Sequence, residues 1–368
     1  MVSAIDFVKD LGLGWNAGNT LDAFPCEGER DRSLAARKGW SPDDQQRLWH
    51  NEPLTLDIFR NVSKAGFATV RIPVTWRDWV DADGEVDPAF LGTVRHAVDD
   101  ALEAGLNVIV NVHHDGSVGD ELWIRKASKD YEGVSRRYEG LWRAIATCFK
   151  DYDERLVLEG ANEVGFPDMP MDGAYEVLNR LNQLFVDTVR ATGSANADRF
   201  LLIPGYDADT AKSCDPRYQL PQDSVADRLI QSIHYYSPSE FAIAEHDCSW
   251  CDNPKLTWGT DAEVAAMRAD FDALQRRFVD AGVPVIIGEY AVLTGEVDHK
   301  DHASNVRWLE AVTRNACERG MCPIIWDTSS KEMCFVDRAT GEFFDPVVAS
   351  MFAAVRRDFC FAGQDAGQ

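Results

Sequence analysis

Eight short apolar runs recur along the chain, each bounded by turn residues and separated by stretches of helical periodicity, and this alternation leaves few architectures open. The runs are Gly12 to Asn16, Thr69 to Ile72, Asn107 to Val112, Leu156 to Gly160, Phe200 to Ile203, Leu229 to His234, Pro284 to Ile287 and Pro323 to Trp326. Between them, Val264, Met267, Phe271, Leu274 and Phe278 repeat at spacings of three and four, which puts them on one helix face. Leu178, Leu181, Phe185 and Val189 form a second such stripe, and Phe90, Val94, Ala97 and Ala101 a third behind Pro88, whose missing N–H costs nothing in a first turn. Eight parallel strands each followed by a helix predict an α/β fold closed as a TIM (β/α)8 barrel, because closure removes the exposed edges of an open sheet. A doubly wound sheet would call for a Gly-rich phosphate turn after the first strand, and Gly14-Trp15-Asn16-Ala17-Gly18-Asn19 is not one. The fifth connection, Asp207 to Arg228, contains Pro216 and Pro221 and reads mostly as loop.

No repeat, low-complexity tract or Ser/Pro linker interrupts the 368 residues, so one domain over 1–368 without an appended carbohydrate-binding module is expected. The 61 acidic against 37 basic residues give a formal net charge of -24, which repels phosphate backbones and anionic lipid surfaces. Nucleic acid and membranes are therefore excluded as expected partners, whereas an uncharged glycan would feel little of this field. No run approaches the ~20 apolar residues of a spanning helix. The N-terminus, Met1-Val2-Ser3-Ala4, lacks a charged leader followed by an apolar stretch, so no secretory signal is expected; a chain whose signal had been replaced by Met would look the same, which leaves the compartment open between secreted and cytoplasmic. A monomer is expected. The nine cysteines read mostly as reduced core thiols, and the lone Cys248-Ser249-Trp250-Cys251 lacks a second pair at zinc spacing, leaving a loop staple or no bond at all.

Polar residues crowd the ends of the predicted strands: Asn16, Asn19 and Asp22; Arg71; His113 and His114; Asn162 and Glu163; His234 and Tyr236; Glu289 and Tyr290; Trp326. Barrel cores have no use for such density, and strand exits are where barrel enzymes carry their chemistry. Glu163 and Glu289 each follow an apolar run, so closure would bring two carboxyl groups to one mouth. One protonated acid for a leaving oxygen and one ionised group for an anomeric carbon are the minimum apparatus for cleaving a glycosidic bond. His113 and His114 raise zinc as an alternative, but no HxH follows the first strand and no strand lysine is suited to carbamylation, so neither a metal nor any other cofactor is expected.

The ordered motifs Gly14-Trp15-Asn16-Ala17-Gly18-Asn19-Thr20-Leu21-Asp22, Val70-Arg71-Ile72-Pro73, Asn111-Val112-His113-His114-Asp115, Ala161-Asn162-Glu163, His234-Tyr235-Tyr236, Ile287-Gly288-Glu289-Tyr290 and Ile325-Trp326-Asp327 resemble those of glycoside hydrolase family 5, from Gly14 to about Pro346. Tyr235-Tyr236-Ser237-Pro238 and Thr257-Trp258-Gly259 are most similar to its endoglucanase branch, which also acts on mixed-linkage glucan and xyloglucan. The resemblance implies Glu163 as acid/base and Glu289 as nucleophile of a retaining endo-β-1,4-glucanase. It also implies Asn162 on the sugar 2-hydroxyl, Trp326 as a stacking platform, Asn19 and Asp22 on the non-reducing side, and His113, His114 and His234 on hydroxyls or carboxylates. Trp258 is the foremost further subsite candidate, with Trp40, Trp49, Trp76 and Trp79 behind it. Arg71 and Tyr236 are expected to keep Glu289 ionised, and Glu163 is expected to hold its proton through a raised pKa. Val164-Gly165 departs from the Pro found in many relatives, and Leu48-Trp49-His50-Asn51-Glu52-Pro53 from their Trp-Gly-Asn-Pro segment, which bears on substrate preference. A β-mannanase on the same fold and a catalytically inactive carbohydrate-binding barrel are the alternatives.

Overall fold

The eight runs form eight strands: β1 (Gly14–Asn16), β2 (Thr69–Ile72), β3 (Asn107–Asn111), β4 (Leu156–Glu159), β5 (Leu201–Pro204), β6 (Leu229–His234), β7 (Val285–Tyr290) and β8 (Cys322–Ile325). The computed structural model describes residues 2–25, 41–116, 122–245, 248–294, 300–329 and 332–359. Each strand pairs in parallel with the next, and β8 returns to β1, which closes the barrel. Helices Leu56–Lys64, Pro88–Glu103, Tyr131–Phe149, Met171–Ala191, Asp261–Arg277, His302–Glu318 and Pro346–Phe359 clothe it. The fifth crossover carries just a 3-10 turn, Tyr206–Ala208, and the short helix Thr210–Cys214, in keeping with its two prolines.

The predicted stripes are the buried faces. Phe90, Val94, Ala97 and Ala101 are buried on a helix that Asp87 caps by accepting from the N–H groups of Ala89 and Phe90. Thr260 and Glu263 form a capping box that starts the helix carrying Met267, Phe271 and Leu274. Gly66 and Gly320 end their helices at φ 101° and 68°, a conformation that a side chain would strain.

Strand alternation divides the barrel into layers. Val70, Val110, Leu158, Ile233, Ile287 and Ile325 point outward into the core shared with the helices, while Ile109, Val157, Leu202, Ile230, Ile286 and Ile324 fill the lower interior. The N-terminal helix Ala4–Asp10 plugs the bottom of that interior with Phe7 and Val8, and Phe7 stacks on Phe200 at 4.0 Å. Two residues further along the same strands, the inward positions turn polar: Asn16, Arg71, Asn111, Glu159 and Ser232 are all buried above the apolar layer. The site stands on this polar floor.

One register shift matters to it. Ile233 pairs with Ile287, but the next residue, His234, pairs with Glu289, leaving Gly288 as the extra residue of a bulge. Ile286 points in and Ile287 out, so strict alternation would send Glu289 outward. The inserted Gly288 turns it inward, and a Cβ on Gly288 would come within 3.3 Å of the His234 ring. Glu289 thus lies within β7, not just beyond it.

Candidate active site

Arg71 organises the floor. Its fully buried guanidinium donates from Nε to Glu159 Oε2 at 2.7 Å, from Nη1 to Glu289 Oε1 at 2.8 Å and Asn16 Oδ1 at 3.0 Å, and from Nη2 to Asn162 Oδ1 at 2.7 Å. Asn16 in turn donates to the Gly288 carbonyl at 2.9 Å, which ties the bulge to β1. Ser232 donates to the other oxygen of Glu159 at 2.7 Å. Three of the four partners, Glu159, Asn16 and Glu289, each bond a further group, so the floor is one connected network.

Glu289 rests on this floor with its side chain only 7% exposed, its second oxygen accepting from the Tyr236 hydroxyl at 3.0 Å. Glu163, in the loop after β4, is 30% exposed and meets His234 Nδ1 at 2.8 Å. His234 Nδ1 also lies 3.6 Å from Glu289 Oε2, and one oxygen from each glutamate falls with that nitrogen in a cluster no more than 4.8 Å across. A retaining pair stands about 5–5.5 Å apart and an inverting pair about 6.5–9.5 Å. The nearest oxygens of Glu163 and Glu289, within 4.8 Å, fall on the closer side of this division.

The electrostatics follow from burial and charge. Burial pushes the Glu289 carboxyl up, and His234 and Arg71 oppose this without cancelling it. Burial also pushes Glu163 up, but the hydrogen bond and charge of His234 outweigh it and hold the carboxyl below the ordinary glutamate range. This reverses the expected raised pKa of Glu163 for the sugar-free enzyme. His234 moves the other way: burial lowers it, but Glu289 and Glu163 raise it further. Burial depresses His113 far below the ordinary imidazole range and His114 to about 4, so both are neutral at pH 7. Because Asn111 Oδ1 accepts from the Val74 N–H, its Nδ2 is the donor to His113 Nδ1 at 3.1 Å, which leaves the His113 proton on Nε2, 3.9 Å from Glu289.

The other predicted residues divide. Asn162 offers Nδ2 to the cleft, since only its oxygen is engaged by Arg71. Trp326 is 9% exposed with one face parallel to His113 at 5.5 Å. His114 and Trp49 meet edge to face at 5.7 Å beside Phe24, and Asn19 is half-buried in the left-handed region at φ 57°. Asp22 departs from its expected contact with sugar: it is completely buried, and its oxygens accept the N–H groups of Asn19 at 3.1 Å and Thr20 at 2.7 Å, so it shapes the turn that presents Asn19. Trp258 departs likewise, being 2% exposed and packed in the core cluster around the barrel instead of lying open as a platform. Trp76 and Trp79 are core as well, and Trp40 lies outside the described residues. Asp22, His113 and His114 form a second group whose ligand-type atoms lie within 4.8 Å, yet Asp22 is satisfied by backbone and His113 by Asn111. Cys248 and Cys251 are both thiols.

Three contributors carried no role in the sequence reading. Glu159 closes the Arg71 network. Arg338, buried, donates to Thr20 Oγ1 at 2.8 Å and the Gly18 carbonyl at 2.7 Å, and Asn51 donates to the Asn19 and Thr328 carbonyls, so both brace the β1 loop. The signal for Glu159 was its place two residues after the inward Val157.

Known proteins resemble this chain in sequence and fold. A family model described as Cellulase (glycosyl hydrolase family 5) matches residues 32–332. Cellulase/esterase CelE of Acetivibrio thermocellus is 35% identical over 334 residues, 89% of this chain but 36% of that protein, so the chain spans about a third of its length. The xyloglucan-specific endo-beta-1,4-glucanase BoGH5A of Bacteroides ovatus is 33% identical over 367 residues, 94% of this chain and 68% of that one. Among solved structures, a GH5-4 broad specificity endoglucanase from an uncultured bovine rumen ciliate superposes with a TM-score of 0.87 at 35% identity, covering 97% of this chain and 99% of that chain. Among the described residues no helix is long and apolar enough to cross a membrane. With a barrel of eight parallel strands, a paired-glutamate mouth and a family match across most of its length, the chain belongs to glycosyl hydrolase family 5, the cellulase family.

Proposed function

We propose that this chain is a retaining endo-β-1,4-glucanase that cuts internal bonds of β-glucans, mixed-linkage glucan and xyloglucan included. The observation that carries the reading is the carboxyl pair itself: oxygens within 4.8 Å, Glu289 sunk onto Arg71 and Tyr236, Glu163 half-open to the cleft. Glu289, anchored and aimed by two donors, attacks the anomeric carbon. Glu163 delivers a proton to the departing oxygen, and a glycosyl ester on Glu289 results. Glu163 then takes a proton from water, which attacks the ester and restores the starting configuration. In the sugar-free site Glu163 and His234 share a 2.8 Å contact. A sugar that displaces water from the exposed face of Glu163 makes its charged form costlier and favours a proton on the carboxyl.

Asn162 Nδ2 donates to the 2-hydroxyl of the sugar under attack, held in place by the Arg71 contact to its oxygen. Trp326 supplies the apolar floor for the same ring. The endoglucanase and xyloglucanase names of the relatives support a β-glucan polymer as substrate.

Trapping with 2-fluoro-cellobiosyl fluoride followed by peptide mass analysis tests the roles. Label is expected on Glu289, and label on any other residue overturns the assignment. Reducing-sugar release from carboxymethylcellulose, lichenan, xyloglucan and glucomannan tests the substrate; cleavage of mannans alone would make the chain a mannanase.

A further inference from the structure

Beside the glutamate pair, on the β4 and β5 side, lies a cavity of about 420 Å³, within the ~300–1,000 Å³ range of small-ligand clefts. Glu163 lines it and Glu289 does not. A general acid must touch the oxygen that leaves, so a hollow walled by the acid and not by the nucleophile is where the departing part of the substrate sits. This step rests on the acid role of Glu163 proposed above.

The walls differ from those on the other side of the pair. Around Trp326, His113 and Trp49 the surface is aromatic, whereas this cavity is lined by Arg125, Met171, Tyr206, Asp207 and Lys212, without a tryptophan. Lys212 Nζ is spent on Asp207 Oδ2 at 2.6 Å. Gly165 leaves that pair room against the β4 loop: a Cβ there would meet Asp207 Oδ1 at 1.8 Å and push the carboxylate aside. The sequence departure at Val164-Gly165 thus gives a charged pair space at this wall. Arg125 lines the same cavity, and its guanidinium bonds no other described residue. A cation without a described partner, in a chain of net charge -24, marks one spot where a negative group is welcome on a surface that otherwise repels it.

We propose that Arg125 makes the leaving-group side of the cleft selective for a sugar unit bearing a carboxylate, held by the fork of the guanidinium. Neutral glucan units still bind there through hydroxyls, with the Tyr206 and Met171 side chains as apolar support.

The test compares kcat/KM of wild type and Arg125→Gln on three substrates: carboxymethylcellulose, hydroxyethylcellulose of equal chain length and substitution, and an aryl cellobioside, whose leaving group contains no sugar. The expected result is a loss of about fivefold on the carboxymethylated polymer, the size of a partly exposed ion pair, with the other two substrates within twofold. Raising the salt concentration should erase the difference between wild type and variant on the carboxymethylated polymer alone. Equal losses on both polymers, a loss on the aryl cellobioside, or no loss at all would overturn the inference while leaving the glycosidase reading intact. A wild type inert on every substrate would overturn both.

Discussion

Arg71 and Glu159 are a fully buried ion pair, Nε to Oε2 at 2.7 Å, that spans from β2 to β4 under the cleft. The pair divides the charge of Arg71 between a structural carboxylate and Glu289, which the same guanidinium holds at 2.8 Å. Removing the cation strands two buried carboxyl groups. Arg71→Ala is expected to cost about 3–5 kcal/mol of stability by urea denaturation, as for other broken buried pairs. Glu159→Gln keeps an acceptor for Nε but removes the competing charge, so the Glu289 pKa falls. The acid limb of kcat/KM, where the nucleophile gains a proton, should move to lower pH; a limb that stays put or moves up contradicts this division of charge.

Glu163→Ala should separate leaving groups. On polymer, loss of proton transfer is expected to lower kcat/KM about 10²–10⁴-fold. On 2,4-dinitrophenyl cellobioside, whose phenolate leaves unaided, the glycosylation step should be nearly unchanged in single-turnover measurements. An equal loss on both would assign the acid role elsewhere.

His234 holds the Glu163 pKa down through a 2.8 Å contact, with Glu289 helping to keep the imidazole charged. In His234→Ala the carboxyl is left with burial as its dominant influence, and its pKa rises. The basic limb of the pH profile, where the acid loses its proton, should shift to higher pH while the acid limb moves less. A purely structural histidine would lower activity without moving that limb.

Thermal stability should peak near pH 4. Burial raises Asp22 to about 7 and Asp115 to about 6 from an ordinary 3.8, so each stabilises the fold fully below pH 3.8 and loses that contribution as the pH rises through its folded value. Glu263 runs the other way: burial pushes it up, but the Thr260 and Gly259 N–H groups and further hydrogen bonds hold it at about 2, so its contribution is present above 4.5 and lost as the pH falls toward 2. Calorimetric scans from pH 3 to 9 check the result. A Tm that climbs steadily from pH 5 to 8 would mean that the two buried aspartates do not titrate as described.

The barrel was legible because its signals are local. Apolar runs and helical stripes name the elements without knowledge of what lies across the fold, and all eight strands fall within a few residues of their expected places. The glutamate pair was legible for a related reason, since strand exits of a closed barrel converge. What escaped depends on neighbours distant in sequence. Glu159 reads as the charged end of an apolar run until Arg71, 88 residues away, is seen beside it. Asp22 reads as a cleft carboxylate until the N–H groups of Asn19 and Thr20 are seen to occupy it. Trp258 carries the motif of an exposed indole, but exposure is a property of packing, which no motif contains.

The extra residue at Gly288 has an outcome for how this chain tolerates change. Were Gly288 drawn into regular pairing with His234, the composition of the mouth would stay untouched, yet residue 289 would turn by half a pleat and aim its carboxyl at the helix shell around Trp308 and Thr313, where Tyr290 now packs. Its nucleophile is thus secured by spacing as much as by chemistry, and a shift of register in this strand should prove more damaging than most point substitutions.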